Sequence, residues 1–198
     1  MYIVVEGNIG SGKTSLVHKL CQQMGGTPML EEFAENTFLP RFYEDPARFA
    51  FPLELSFLAA RYQQFNQVFT AEKSPFIISD YHFEKCRVFA SVNLQEHEME
   101  LFDTFFKMME EKTPTPNLVV FLKNDSERLK TNIRKRGRSY EQGMDAQYLD
   151  RISEAYDRRI NSMKKHNILN INASKLDFVS NPTDFQFIMD QINEQLAW

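Results

Sequence analysis

Gly7-Asn8-Ile9-Gly10-Ser11-Gly12-Lys13-Thr14, close to the first residue of a 198-residue chain, decides how the rest is read. The eight residues match G-x-x-x-x-G-K-[ST] without a gap. Glycines let successive main-chain N–H groups turn inward on a polyphosphate, where side chains would collide. Lys13 is placed to reach the β- and γ-phosphates, and the Thr14 hydroxyl to ligate Mg²⁺. A helix starting at Lys13 aims its positive end at the same anion. The flanks agree: Tyr2-Ile3-Val4-Val5 reads as a strand entering the loop, and the residues from Ser15 to Met24 carry a helical pattern. An isolated glycine turn would not account for strand, Lys-Thr pair and helix together. Gly7 through Ser15 are therefore the expected contacts to ATP.

Further along, short apolar runs alternate with longer stretches of helical period. Strands are predicted at Tyr2–Val5, Thr27–Leu30, Phe76–Ser79, Leu118–Leu122 and Ile168–Ile171. Helices are predicted at Lys13–Met24, Pro46–Val68, Glu84–Met109, Ser126–Arg136, Ala146–Lys165 and Thr183–Leu196. Parallel strands need a crossover, and the intervening helices supply it. Runs such as Pro75-Phe76-Ile77-Ile78-Ser79 and Leu118-Val119-Val120-Phe121-Leu122 are apolar on both faces, as in a sheet covered on both sides. The expected class is α/β: one domain, residues 1–198, with a five-stranded parallel sheet flanked by helices.

A net charge of −4 gives no global field toward nucleic acid or membrane, and no run approaches the twenty or so apolar residues of a membrane span. A soluble cytoplasmic protein is expected. Cys21 and Cys86 lack ligand spacing and read as small buried residues.

The third predicted strand closes on Asp80, an acid where a P-loop fold positions Mg²⁺; capping the following helix is the other role open to it. Glu31 and Glu32 end the second strand, at the sheet edge where α/β folds bind ligands, and a carboxylate there could take the proton of an attacking hydroxyl. Arg136-Gly137-Arg138 places two fork donors around a flexible residue, suited to a lid over a triphosphate, within a strip of cations that could also be a solvated helix end. The aromatic stretch from Phe38 to Phe57 leads into a helix on which Glu54 and Arg61 share one face. Beside aromatic rings they could read a planar base, or form a surface ion pair.

These blocks resemble the deoxyribonucleoside kinases, closest to the bacterial purine branch: Val4–Leu16, Leu30–Gln64, Ile78–Ala90 and Ile133–Leu149 match in order and spacing. The resemblance implies a P-loop nucleoside-kinase fold with an arginine-bearing lid at about 134–144, and ATP with Mg²⁺ on Thr14 and Asp80. It implies a general base at Glu31, counted back from Asn36, or at Glu32, judged by the Phe33-Ala34 pair. Tyr43 and Glu141 fall where the family holds the sugar 3′-hydroxyl, with Phe42 and Tyr81 in the same substrate blocks. Glu54 falls where a glutamine reads the base edge, Arg61 on a base-contacting arginine, Arg136 and Arg138 on the lid arginines. Asp177-Phe178 resembles the loop against adenine.

Two departures stand out. Asp80-Tyr81-His82 lacks the family's arginine near the 5′-hydroxyl, and Cys86 replaces an aspartate that pairs with the base-reading arginine, so that Arg61 is expected to lean on Glu54. The expected function is transfer of the ATP γ-phosphoryl to the 5′-hydroxyl of a deoxyribonucleoside, deoxyadenosine ahead of deoxyguanosine, by a homodimer without nucleic-acid or membrane partners. The rivals are a thymidylate-type monophosphate kinase and a P-loop regulatory switch.

Overall fold

The computed structural model describes residues 1–32, 36–70, 76–141 and 143–196. Strand β1 (Tyr2–Gly7) is buried along its whole length, and its side chains alternate between two apolar layers. Ile3 and Val5 join Leu16, Val17 and Leu20 of α1 (Lys13–Met24) and Ile188 and Ile192 of α8 (Pro182–Leu196). Tyr2 and Val4 face the opposite layer, with Phe65 of α3 (Pro46–Thr70), Phe102 and Phe106 of α5 (Glu96–Glu110) and Tyr156 of α7 (Ala146–Ser162). A strand with cores on both faces has no polar side to present, hence its uninterrupted apolar run.

The other strands are β2 (Thr27–Met29), β3 (Ile77–Ser79), β4 (Leu118–Lys123) and β5 (Ile168–Asn172). All pair in parallel, in the order β2-β3-β1-β4-β5. From β1 the chain passes to the edge strand β2, returns inward to β3, then crosses to the other side of β1 for β4 and β5. That reversal opens a crevice at the carboxyl ends of the strands. The turns after β1, β2 and β3 therefore meet, although they carry residues more than seventy positions apart.

The sequence-based boundaries hold to within one or two residues, apart from three larger differences. The helix expected over Glu84–Met109 is two, α4 (Lys85–Asn93) and α5. Gln95 is extended between them and forms a capping box, its N–H donating to Glu98 Oε2 at 3.0 Å. The expected helix to Lys165 stops at Ser162, and α2 (Phe38–Glu44) had no counterpart in the reading. Crowded aromatics hid its period: Phe42 packs inward with Ala50, Leu53 and Phe57. Helix α6 (Ser126–Arg136) is capped by the Asp125 carboxylate on the Arg128 N–H. Phe33 and Ala34 lie outside the described residues.

Candidate active site

The loop after β1 is held open by glycines and tied down by asparagines. Gly12 sits at φ +92°, and a Cβ there would lie 2.8 Å from the Phe178 ring; one on Gly7 would lie 2.7 Å from the Leu122 carbonyl oxygen. Asn8 Nδ2 donates to the Leu149 carbonyl at 2.8 Å, anchoring the loop to α7. Asn132 Nδ2 donates to Gly10 O at 2.8 Å, anchoring it to α6. The first N–H groups of α1 have no intrahelical acceptor. Beside them Lys13 Nζ donates to Asn8 O at 2.8 Å, its pKa lowered to about 8 by burial and then by the charge of Lys85.

Asp80 joins three loops. Its Oδ2 accepts from the Thr14 hydroxyl at 2.5 Å and its Oδ1 from the Glu31 N–H at 2.8 Å. The capping role open to it is not taken, because α4 begins only at Lys85, after Glu84. Hydroxyl and carboxylate together are hard oxygen donors suited to Mg²⁺, which is held by few protein ligands plus phosphate and water. Among the described residues no group of three or more His, Cys, Asp or Glu could hold a metal alone.

The two glutamates part company. Glu31 points into the cleft with Arg61 on Oε1 and Lys85 Nζ 2.5 Å from Oε2. Burial pushes its pKa up, but the charges and hydrogen bonds of Lys85 and Arg61 overrule it and hold the carboxyl far below the usual carboxylate range. Glu32 is exposed and meets Gln64 Nε2 at 3.4 Å. The expectation that Arg61 leans on Glu54 is corrected: Arg61 pairs with Glu31, and its Nη1 donates to Cys86 Sγ at 3.1 Å. Glu54 instead accepts from Asn93 Nδ2 at 2.7 Å through Oε1.

The cleft encloses about 760 Å³ of empty space, part of it open to solvent. Ile9, Lys13 and Thr14 lie at one end, and Phe42, Leu53, Phe57, Phe89 and Tyr148 surround Glu54 and Asn93 at the other. Tyr43 stacks on Tyr140 with centroids 5.9 Å apart, closing the chamber against the short 3-10 turn Ser139–Glu141. Arg136 and Arg138, the arginines expected in a lid, both reach Glu141, at 2.5 Å and 3.2 Å. Tyr81, expected among the substrate contacts, is corrected to a core residue: it is fully buried, donates to Gln64 and packs edge-on against Phe65. Asp177 is exposed, while Phe178 lies against Gly12 beneath the loop. Ser15, though in the first turn of α1, does not line the cleft.

Sequence reading missed five residues here. Lys85 is a cation placed directly on Glu31. Asn93, Phe89 and Tyr148 come from α4 and α7, whose faces no local motif marks. Behind Lys13 and Lys85, the buried Glu6 accepts from the N–H groups of Gly7 (2.9 Å) and His82 (2.7 Å) and from the Tyr156 hydroxyl (2.9 Å). Burial raises its pKa, against the pull of those two lysines.

Comparison with known proteins adds a separate line of evidence. A family model described as deoxynucleoside kinase matches residues 3–197. A deoxyguanosine kinase of Bacillus subtilis (strain 168) is 32% identical over 204 residues, covering 99% of this chain and 98% of that protein. A deoxyadenosine/deoxycytidine kinase of the same organism is 27% identical, covering 96% and 90%. Among solved structures, deoxyadenosine kinase from M. mycoides with bound dATP superposes with a TM-score of 0.85 at 22% identity, over 98% of this chain and 99% of that one.

Proposed function

The chain belongs to the deoxynucleoside kinase family, and we propose that it transfers the γ-phosphoryl of ATP to the 5′-hydroxyl of a deoxyribonucleoside, purines first. One observation carries this reading. A single cleft has a phosphate cradle at one end, an aromatic-lined chamber with hydrogen-bonding groups at the other, and the Glu31 carboxylate between them. The names of the Bacillus relatives, one a deoxyguanosine kinase and the other a deoxyadenosine/deoxycytidine kinase, each include a purine deoxynucleoside and so support the purine reading.

In this mechanism the loop amides and Lys13 hold the triphosphate, while Thr14 and Asp80 hold Mg²⁺. The metal, when bound, neutralises charge developing on the phosphate oxygens. Glu31 accepts a hydrogen bond from the 5′-hydroxyl and orients it in line. Lys85, already on Glu31, stands where the reacting oxygen would arrive and supplies the positive charge of the missing arginine. Arg136 and Arg138 exchange Glu141 for phosphate oxygens, which leaves Glu141 and Tyr43 to hold the sugar 3′-hydroxyl. Phe178 supports the loop from below, beside the adenine of ATP.

The protein works in the cytoplasm as a homodimer; Leu101, Phe105 and Met108 share an exposed face of α5 by their spacing, and such a face suits a helix from a second copy. Among the described residues no helix is long and apolar enough to cross a membrane.

The test is ADP formation with Mg·ATP against a panel of deoxynucleosides, ribonucleosides and nucleoside monophosphates. Turnover that depends on a purine deoxynucleoside is the expected result. Turnover restricted to monophosphates would point to a thymidylate-type kinase, and hydrolysis indifferent to all acceptors would point to a regulatory switch.

A pH profile checks the cradle separately. Lys13 with a pKa of about 8 loses its charge above that pH in the free enzyme, and polyphosphate binding must then restore the proton. We expect kcat/KM for ATP to fall by about tenfold per pH unit above that point, whereas kcat, measured on the bound complex, holds to higher pH. Parallel falls in both would show that Lys13 titrates the same with and without nucleotide.

A further inference from the structure

Glu54 is the one acid of the chamber's inner end that no cation meets within ion-pair distance among the described residues. It is 2% exposed, and its Oε1 accepts from Asn93. Arg61 stands two turns away on the same helix, but its guanidinium is engaged by Glu31 and Cys86. Asn93 can give Glu54 a hydrogen bond but no charge. A carboxyl buried under these conditions loses the advantage of its ionised form.

Resting on the reading of this chamber as the acceptor's base site, we propose that Glu54, braced by Asn93, reads the purine edge in either of two protonation states, so that the choice between adenine and guanine follows pH. The two edges demand opposite things. Adenine offers an N6 donor beside an N1 acceptor, which a neutral carboxylic acid matches by accepting and donating. Guanine offers adjacent N1 and N2 donors, which a carboxylate matches by accepting twice. A glutamine at this position could match only one orientation at a time and would not respond to pH. The Asn93 bond to Oε1 survives in both states because an oxygen there still accepts.

The charged and titratable groups facing Glu54 come from every element around it. Arg61 lies on its own helix α3, Lys85 and Cys86 on α4, Glu31 on the turn after β2, and Tyr148 on α7. Burial is the largest influence and raises the Glu54 pKa to about 7; the Asn93 bond and the charge of Arg61 lower it, Glu31 raises it and Lys85 lowers it. Both states are therefore populated near neutrality. Above that pH the carboxylate dominates, and below it the neutral acid.

The experiment compares kcat/KM for deoxyadenosine and deoxyguanosine on one enzyme from about pH 5.5 to about 8.5. Their ratio cancels the titration of Lys13 and every other group common to both reactions. The deoxyadenosine-to-deoxyguanosine ratio should fall as pH rises, by about tenfold or more across the range, and should be flat in Glu54→Gln. Calorimetry on the unaltered enzyme, in buffers of different ionisation heat near neutral pH, gives a second reading. Proton uptake is expected on binding deoxyadenosine, and release on binding deoxyguanosine. A flat ratio with both nucleosides turned over, or identical proton linkage for both, overturns the inference and leaves the kinase reading standing. No turnover of any deoxynucleoside at any pH overturns the kinase reading and the inference together.

Discussion

Lys13→Ala is expected to lower kcat/KM for ATP by about a thousand-fold, the range seen when a preorganised cation on a transferring phosphoryl is removed. The ammonium is positioned by its own loop, through Asn8 O, and Asn8 is in turn fixed to α7. Truncation leaves those anchors in place, so the fold and the acceptor chamber should persist. Deoxynucleoside binding measured by calorimetry should change little while turnover collapses. That contrast separates a lost phosphate contact from an unfolded protein. Lys13→Arg should not rescue, because a planar fork cannot occupy the narrow path of an ammonium between glycines. A fully active Lys13→Ala enzyme would contradict the cradle.

Glu31→Gln is expected to cut kcat by about a hundred-fold or more, and Glu32→Gln to leave it within about twofold. The contrast follows from placement: Glu31 is held in the cleft by Arg61, Lys85 and the Asp80 carboxylate, whereas Glu32 faces solvent. A carboxyl kept so far toward its ionised form is a weak base, which would be a difficulty if the hydroxyl had to be deprotonated early. Phosphoryl transfer passes through a loose transition state in which the bond to the nucleophile is little formed and the hydroxyl still keeps its proton. The carboxylate then serves by orienting the hydroxyl and receiving its proton late. Remaining ionised down to low pH, Glu31 should impose no acid limb on kcat in the ordinary carboxylate range. Part of the loss in Glu31→Gln comes from leaving Arg61 and Lys85 without their counter-charge. Glu31→Asp keeps that charge and shortens the reach, so a low rate there isolates positioning. Unchanged turnover in Glu31→Gln would remove the residue from the reaction.

Much of the fold was legible because its signals are local. The β1 strand, the glycine loop and the start of α1 follow one another without interruption, and α6 was bounded to the residue by Asp125 before it and Gly137 after it. The break between α4 and α5 was not, because the apolar period runs through Leu94 while the capping box that stops the helix uses Gln95 and Glu98, residues at home within helices as well. The site divides in the same way. Thr14 was read from the glycine-loop motif and Asp80 from the end of a strand, yet the exchange of Arg61 from Glu54 to Glu31 could not be read from helical spacing. Arg61 and Glu54 share a face, but the ion pair went to the acid brought in by another strand.

Primary structure alone determined the polyphosphate cradle, the parallel α/β plan and the succession of acids at the ends of β2 and β3, since each depends on residues adjacent in the chain or on a period within one element. Tertiary structure alone decided which glutamate faces the cleft, which cation stands beside it and which acid is left without one. Those outcomes turn on the reversal of strand order at β1, which brings Glu31, Arg61 and the Lys85 and Asn93 of one helix together from three separate segments. Charge pairing in a buried cleft is a competition among every group within reach, and the winners depend on distances that only the folded chain possesses.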